Sequence, residues 1–165
     1  MIIDLKRIFV NDNSSLSIDY ALDMSDLEYN GEYPLKKPVT IKGSITNNAS
    51  LIRLTAEISF DFEAPCDRCG LVINQSHSVT VEKSLASVME SEESDTILLV
   101  PDMKLDLDEF IYTEVVLGLP MKHLCDEDCK GICPKCGKNL NVGKCECSFK
   151  EIDPRLQALA DLLKD

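Results

Sequence analysis

The sequence predicts an α+β fold that is mainly antiparallel β: a sheet or partly open barrel with two to three helices, followed by a cysteine-rich C-terminal module. Apolar and polar residues alternate strictly from Ile52 to Glu63, which is typical of a strand with one buried face in an antiparallel sheet. Six of the eight cysteines lie between residues 125 and 147. At 165 residues and 44% hydrophobic content, the chain can bury one sizeable core.

Two hairpins are expected in the N-terminal half. Residues 39–46 alternate like the strand after them, and the Asn-Asn-Ala-Ser segment at 47–50 provides turn residues between the two. The strand that starts at Leu51 runs to Cys-Asp-Arg-Cys-Gly at 66–70, and strand-like spacing returns in residues 71–88. This order predicts that the Cys-Asp-Arg-Cys-Gly segment forms the tip of the second hairpin. Two further segments are weaker strand candidates, residues 2–5 and 16–22.

The C-terminal half begins with an acidic segment of low apolar content at 89–96, which we expect to be a solvated linker. Residues 97–101 form a short strand candidate. Asp106 begins a capping signature for a helix near 107–118, and Pro120 closes that helix.

A further helix is expected at the C-terminus, where Asp153 occupies an N-cap position and Pro154 the first helical position. One face of this helix is apolar and consists of Leu156, Leu159, Ala160 and Leu163. We therefore expect an antiparallel β domain at 1–120 and a cysteine-rich module at 121–165, with the terminal helix packed on that module.

The chain is acidic, with 17 Lys and Arg against 29 Asp and Glu and a formal net charge of −12. Such a surface repels a phosphate backbone, which argues against a general nucleic-acid-binding protein. The N-terminal segment lacks the basic and apolar regions of a signal peptide, and no apolar run approaches the roughly 18 residues of a membrane span. We expect a cytoplasmic protein without a membrane contact.

Eight cysteines in a reducing compartment indicate metal binding rather than disulfides. The segments at 66–70 and 133–137 are CxxC knuckles, which present two sulfurs from one tight turn to a tetrahedral zinc ion. Gly70 and Gly137 follow the second cysteine, where a left-handed backbone lets N–H groups turn toward the sulfurs. Four ligands per ion predict two structural zinc ions per chain.

Spacing favours one division of the eight cysteines over another. The favoured division forms a zinc-ribbon-like site from Cys133, Cys136, Cys145 and Cys147 and a second site from Cys66, Cys69, Cys125 and Cys129. The Gly- and Asn-containing loop at 137–144 allows the local return, and the second site closes a loop of more than fifty residues. A competing division groups Cys125, Cys129, Cys133 and Cys136 and leaves Cys145 and Cys147 to meet Cys66 and Cys69.

The two histidines add little to this pattern. His123, two residues before Cys125, could replace a cysteine ligand, although the simpler interpretation is an exposed histidine. His77 lies in a strand-like stretch and has no evident metal partner. Every site can be closed by cysteine, and the sequence contains neither an HExxH motif nor an evident Ser–His or Cys–His arrangement. We therefore expect structural metal, no catalytic residues and no small-molecule substrate.

Several motifs occur together in one order: CDRC at 66–69, Leu-Pro at 119–120 followed by two cysteines, KGICPKCGKNLN at 130–141 with a trailing CxC, and DPRLQAL from Asp153. This combination resembles the bacterial YceD family, which is named for large ribosomal RNA subunit accumulation, from about residue 39 to 163. The resemblance implies a non-enzymatic factor in ribosome biogenesis that supports 23S rRNA accumulation or processing and large-subunit assembly.

The resemblance also bears on the metal sites. Some family members keep the first CxxC, lack the C-terminal cysteine cluster and have a histidine at the position of Cys125. This implies that the site containing Cys66 and Cys69 is the common one and that the ribbon at 133–147 is an elaboration. The family implies no catalytic residues.

An acidic rRNA-binding protein is unusual, so we expect action through a basic partner, a ribosomal protein or a large-subunit precursor particle. Six lysines stand against four acidic residues between 122 and 150. RNA contact through phosphates is expected at Lys130, Lys135, Lys138 and Lys144, which can equally serve only to solvate the module. Two alternatives stay open: a zinc-ribbon adaptor for another protein or nucleic-acid machine, and a thiol redox sensor that releases zinc on oxidation.

Overall fold

The structure is a computed structural model and describes residues 1–88 and 96–147. Its elements in chain order are β1 Ile2–Asp4, α1 Lys6–Val10, β2 Ser15–Leu22, β3 Val39–Asn48, β4 Leu51–Pro65, β5 Val72–Ala86, β6 Ile97–Leu99, β7 Lys104–Asp106 and α2 Leu107–Gly118. A short 3-10 turn at Pro101–Met103 precedes β7. The strands form a five-stranded sheet in the order β2-β3-β4-β5-β6 and a two-stranded sheet of β1 and β7.

The larger sheet is antiparallel except at one edge, where β5 and β6 run parallel. β4 and β5 have 15 residues each, and their pairing extends from Arg53–Ser84 to Pro65–Val72. They form the second predicted hairpin, with the first CxxC knuckle at its tip. The sheet curves into a half-barrel, which confirms the predicted α+β class with a mainly antiparallel sheet.

The first predicted hairpin consists of β3 and β4, whose connecting residues Ala49 and Ser50 have positive φ angles of 51° and 65°. Two consecutive residues of this kind form the turn that matches the twist of a two-residue hairpin loop. Gly43 pairs with Ala56, and a Cβ atom on Gly43 would lie 2.3 Å from the carbonyl oxygen of Thr55. The close approach of the two strands at this point therefore requires glycine.

The alternation that predicts β4 is present in the burial of its side chains. The even-numbered residues from 52 to 64 are buried, whereas their odd-numbered neighbours are exposed or half-buried. Helix α2 adds Ile111 and Val115 to the same core. The Asp106 side chain accepts hydrogen bonds from the N–H groups of Asp108 and Glu109, so the predicted cap of this helix is confirmed.

Helix α1 and strand β7 were not expected from the sequence. The buried Asn47 side chain of β3 donates from Nδ2 to the carbonyl oxygens of Ile8, at 2.7 Å, and Asn11, at 3.2 Å. These bonds hold α1 against the large sheet. β7 exists because it pairs with β1, where Ile2 lies opposite Asp106. Both elements are too short to show a period and depend on distant partners.

Two predictions fall outside the described residues: most of the acidic linker at 89–96 and the terminal helix that begins at Asp153. The division of the chain at residue 120 stays a prediction. Within residues 1–88 and 96–147, no helix combines the length and the apolar character needed to cross a membrane.

Candidate metal centres

The cysteines lie in two groups of four, and in each group the four Sγ atoms are within 4.8 Å of one another. Centre 1 consists of Cys66, Cys69, Cys125 and Cys129, and centre 2 consists of Cys133, Cys136, Cys145 and Cys147. Sulfurs this close together can share one metal ion. Both groups are built from backbone turns.

The tip of the β4–β5 hairpin supplies half of centre 1. The N–H of Cys66 donates to the carbonyl oxygen of Leu71, and the N–H of Gly70 donates to that of Cys66, both at 2.8 Å. Gly70 has a φ of 71°, a left-handed conformation that costs other residues about 1–2 kcal/mol. The resulting tight turn carries Cys66 and Cys69.

The segment after α2 supplies the other half and is tied to the knuckle. The N–H of Asp67 donates to the carbonyl oxygen of His123 at 2.8 Å, while the Asp67 carboxylate accepts from the N–H of His123 at 2.7 Å. Arg68 Nη1 donates to the carbonyl oxygen of Cys129 at 2.7 Å. The two inner residues of the knuckle therefore hold the second pair of cysteines in place.

The sulfurs of centre 1 meet across the two segments. Cys66 Sγ lies 3.8 Å from Cys129 Sγ, and Cys69 Sγ lies 3.6 Å from Cys125 Sγ. The backbone N–H of Cys125 also donates to Cys66 Sγ at 3.4 Å. Such N–H···S bonds stabilise a thiolate and orient it toward a metal ion.

Centre 2 repeats the knuckle turn on a local segment. The N–H of Gly137 donates to the carbonyl oxygen of Cys133 at 2.8 Å, and the N–H of Cys133 donates to that of Lys138 at 2.9 Å. Gly137 has the same φ of 71° as Gly70. A β-bridge between Ile132 and Asn139 closes the base of the turn. The return loop then brings the last two cysteines back to the knuckle.

The first cysteine of each knuckle is stabilised as a thiolate. Burial raises the pKa of Cys66, but N–H donors from three neighbouring residues outweigh burial and lower this pKa to about 6. The backbone N–H of Cys136 is the main cause that lowers the pKa of Cys133 to about 6. These two cysteines are the first residues of the two knuckles. The N–H groups of the knuckle favour the ionised form of both, and for Cys66 the N–H of Cys125 from the segment after α2 contributes most.

Other thiols shift in the opposite direction because their neighbours are sulfurs. The side chain of Cys129 is the main cause that raises the pKa of Cys125 to about 12, and that of Cys136 raises the pKa of Cys147 to about 12. Four adjacent thiolates repel one another in the absence of a cation. A bound divalent cation removes this repulsion and displaces the remaining protons.

The donor chemistry fits a thiophilic metal. A tetrahedral set of four sulfurs is the arrangement of structural zinc sites and of iron–sulfur sites. The two groups could therefore each hold one ion. Such an ion would have a structural role and not a catalytic one, because four cysteine ligands leave no position for water or substrate.

The structure brings together the same four cysteines that spacing favoured for each site. The competing division of the sequence is not formed, because Cys129 and Cys133 belong to different groups. The role of these residues as metal ligands stays a prediction. The four lysines proposed for RNA contact, Lys130, Lys135, Lys138 and Lys144, are all exposed around centre 2.

The interpretation of His123 as an exposed residue is wrong, because it is only 5% exposed. Its ring centroid lies 4.5 Å from that of Phe62 and 6.1 Å from that of Tyr29, so the ring is a packing group between the core and centre 1. It is not a member of either cysteine group. His77 stacks on Phe60 at 5.7 Å and is likewise in neither group.

Sequence reasoning missed three residues that support the centres: Asp67, Arg68 and Asn141. Asn141 donates from Nδ2 to Cys129 Sγ at 3.2 Å, although it lies in the loop of centre 2. All three lie inside the CDRC and KGICPKCGKNLN motifs, and membership of these motifs was the only feature of the sequence that pointed to them. Their partners depend on how the two motifs meet in space, and spacing along the chain does not reveal this.

The chain is similar in sequence to bacterial proteins. The uncharacterized protein YlbN of Bacillus subtilis is 28% identical over an alignment of 153 residues, which covers 91% of this chain and 89% of YlbN. An uncharacterized protein of Mycobacterium tuberculosis is 28% identical over 116 residues, covering 68% of this chain and 56% of that protein. No solved structure matches the chain.

A named relative comes from a plant. The large ribosomal RNA subunit accumulation protein YCED homolog 1, chloroplastic, of Arabidopsis thaliana is 27% identical over 163 residues, which cover 79% of this chain. The chain spans about half of the length of that protein, 50%. Residues 54–163, well over half of the chain, match the family described as large ribosomal RNA subunit accumulation protein YceD. The chain therefore belongs to the YceD family.

Proposed function

We propose that this protein is a non-enzymatic factor of the bacterial cytoplasm that supports 23S rRNA accumulation during large-subunit assembly, with two structural zinc ions. The process is suggested by the name of the family and of its chloroplastic relative. The observation that carries the proposal is the pair of four-sulfur groups in a chain of this family. Catalytic zinc keeps a ligand position for water or substrate, whereas four cysteines fill the coordination shell.

Zinc at centre 1 would fix the shape of the β domain. It would join the hairpin tip to the segment after α2, and Cys66 and Cys129 are 63 positions apart. A crosslink that closes a long loop removes much conformational freedom from the unfolded chain. The metal thus supports a rigid surface for binding rather than a reaction.

The charge and shape of the β domain support a basic protein as the partner. A groove of about 550 Å³ lies between β6 and α2. Its apolar lining includes Ile97, Leu99 and Leu117, which are 38%, 44% and 76% exposed. Its charged lining is acidic on balance, with three carboxylates against two lysines: Asp106, Glu109, Glu114, Lys83 and Lys104. A segment that carries both Lys or Arg and apolar side chains fits this combination, as expected for a ribosomal protein in a precursor particle.

RNA contact in this proposal is confined to the module around centre 2. Its four exposed lysines, Lys130, Lys135, Lys138 and Lys144, are suited to phosphate contacts. The remainder of the chain is acidic, since the net charge is −12. We also propose that residues 121–165 act as one zinc module with the terminal helix packed on it.

The test is sedimentation of the tagged full chain from its bacterial host, followed by affinity recovery of bound proteins. The proposal predicts migration with large-subunit precursors and recovery of a basic ribosomal protein. Leu117→Asp places a charge in the groove and is expected to abolish both, whereas Val10→Asp, at a residue 78% exposed on α1, serves as the matched control. Tight, salt-sensitive binding of the isolated chain to large-subunit RNA, without any protein partner, would contradict the proposal.

A further inference from the structure

The two centres meet at a short connection. Cys129 and Cys133 belong to different centres and are separated by three residues. This connection runs along the first knuckle, because the N–H of Ile132 donates to the carbonyl oxygen of Arg68 at 3.1 Å. A Cβ atom on Gly131 would lie 2.9 Å from that same oxygen. The chain therefore passes from one centre to the other in backbone contact with the hairpin tip.

Asn141 provides a second link, from side chain to sulfur. It lies in the loop between Cys136 and Cys145 of centre 2, but its Nδ2 donates to Cys129 Sγ of centre 1 at 3.2 Å. Its Oδ1 accepts a hydrogen bond from the backbone N–H of Lys130 at 2.7 Å. The same amide thus contacts a sulfur of centre 1 and the backbone that follows it.

The chemistry of the partners determines the orientation of this amide. The backbone N–H of Lys130 needs an acceptor, so the amide oxygen of Asn141 must face it. The amide NH₂ group then faces Cys129 Sγ and donates to it. The reverse orientation would place an oxygen against a thiolate and leave two N–H groups opposed, so the bond to the sulfur is a donor contact by necessity.

The return loop of centre 2 positions Asn141. Its N–H donates to Asn139 Oδ1 at 2.9 Å, and the N–H of Leu140 donates to the carbonyl oxygen of Gly131 at 2.9 Å. The loop that contains these residues is bracketed at both ends by cysteines of centre 2. When those cysteines share an ion, the loop is closed and the amide is held next to the sulfur.

From these contacts we infer that the two centres form one coupled unit, in which Asn141 is a positioning residue for Cys129. This inference rests on the proposed metal binding and goes beyond it. A donor that holds a ligand sulfur changes metal affinity about 10-fold to 100-fold when it is removed. Because coupling of binding equilibria is reciprocal, an ion at centre 2 strengthens binding at centre 1, and an ion at centre 1 strengthens binding at centre 2 by the same factor.

Substitutions at position 141 test the contact itself. The purified zinc-loaded full chain is titrated with a chelator, and native mass spectrometry counts the zinc ions bound to each molecule. Asn141→Ala is expected to weaken zinc binding at centre 1 about 10-fold. Asn141→Asp is expected to weaken it further, because its carboxylate still accepts from Lys130 but repels the thiolate. Val142→Ala, at the neighbouring exposed residue, is the matched control and is expected to leave both zinc ions in place.

A double-mutant cycle tests the coupling. Cys136→Ser with Cys147→Ser removes two ligands of centre 2, and the affinity of centre 1 is measured with and without Asn141→Ala. The inference predicts that Asn141→Ala has a much smaller effect in this background, because the open loop no longer holds the amide. Equal effects in both backgrounds would overturn the inference. So would an Asn141→Ala variant that retains zinc as well as Val142→Ala does.

Protection of the β3 and β4 amides from hydrogen exchange reports the folded core in every variant. Loss of that protection in Asn141→Ala would also overturn the inference, since the residue would then serve the fold as a whole. Failure of the coupling is distinguishable from failure of the proposed metal sites. An unsubstituted chain that binds no zinc contradicts the sites, whereas two zinc ions with independent affinities contradict only the coupling.

Discussion

Centres 1 and 2 share the same four-sulfur set and the same knuckle turn, but they connect different things. In centre 1, Cys66 and Cys129 are 63 positions apart and join the hairpin tip to the segment after α2. In centre 2, all four cysteines lie between residues 133 and 147. With a metal bound, the same ligand set would crosslink distant parts of the chain at centre 1 and would shape only a short local segment at centre 2.

The surroundings of the two centres differ as well. Cys66 and Cys129 are 3% and 4% exposed, and the neighbouring His123 ring packs on Phe62 of the core. In centre 2, by contrast, only Cys133 is buried, while Cys145 and Cys147 are half-buried and Cys136 is exposed. The free energy of unfolding that is lost with a metal ion therefore depends on which segments its ligands connect and how deeply they are buried, and not on the ligand type alone.

The largest expected effect comes from removing one ligand at the equivalent position of each knuckle. Cys69→Ser is expected to lower the free energy of unfolding of the β core by about 4 kcal/mol, the scale of a crosslink that closes a loop of this length. Cys136→Ser should lower it by only about 1–2 kcal/mol, because the core keeps centre 1 and loses only the strengthening of zinc binding there by centre 2. Thermal unfolding followed by circular dichroism measures both, and equal losses would contradict the comparison.

A second pair of variants separates backbone strain from contact between the centres. Gly131 and Gly137 share a φ of 71°, but only Gly131 has a neighbouring atom where a Cβ would lie, the carbonyl oxygen of Arg68 at 2.9 Å. Gly137→Ala is expected to cost about 1–2 kcal/mol from the left-handed backbone alone. Gly131→Ala should cost about 1–3 kcal/mol more, because the chain must shift away from the knuckle.

Urea unfolding with zinc present measures this difference between the glycines. Similar midpoints for Gly131→Ala and Gly137→Ala would show that the connection between the centres tolerates displacement. That result would weaken the description of centre 1 as a clamp held by the first knuckle.

The two histidines test whether packing or ligation explains the neighbourhood of centre 1. His123→Ala is expected to destabilise the protein by about 2 kcal/mol, as for a truncated core side chain, and to leave both zinc ions bound. His77→Ala, at a half-buried position on β5, should cost less. Metal content and thermal unfolding are measured on the same samples, and loss of one zinc ion from His123→Ala would identify this histidine as a ligand.

The smallest effect on stability is expected at the surface of centre 2. Replacing Lys130, Lys135, Lys138 and Lys144 with Gln should change the free energy of unfolding by less than about 0.5 kcal/mol. If the protein binds single-stranded RNA, a plot of log affinity against log salt concentration should become shallower by about 3, because four phosphate contacts are lost and each contributes about 0.7 to the slope. An unchanged slope would remove these lysines from the proposed RNA contact.

The elements that could be predicted from the sequence are those with a long period of their own. β4 alternates over its whole length, β3 and β5 alternate over part of theirs, and α2 carries a capping aspartate, Asp106, at its start. Helix α1 has five residues and β7 has three, so neither shows a period. Both exist because of tertiary partners: Asn47 holds α1, and β1 pairs with β7.

In the candidate site, too, some features could be predicted from the sequence and others depend on tertiary contacts. The grouping of the cysteines follows from their spacing, because the eight-residue loop between Cys136 and Cys145 allows a local return. The burial of His123 and the contact of Asn141 with Cys129 do not follow from spacing. Both depend on how the hairpin tip, the segment after α2 and the return loop meet, and no local pattern encodes that arrangement.

The two cysteine groups are expected to hold two structural metal ions, each in a closed set of four sulfurs. Elemental analysis of the purified full chain, combined with zinc K-edge X-ray absorption spectroscopy, tests this expectation. We predict two zinc atoms per chain and a first coordination shell of four sulfurs at about 2.3 Å. A single zinc atom, iron in place of zinc, or a shell that contains nitrogen or oxygen would contradict it.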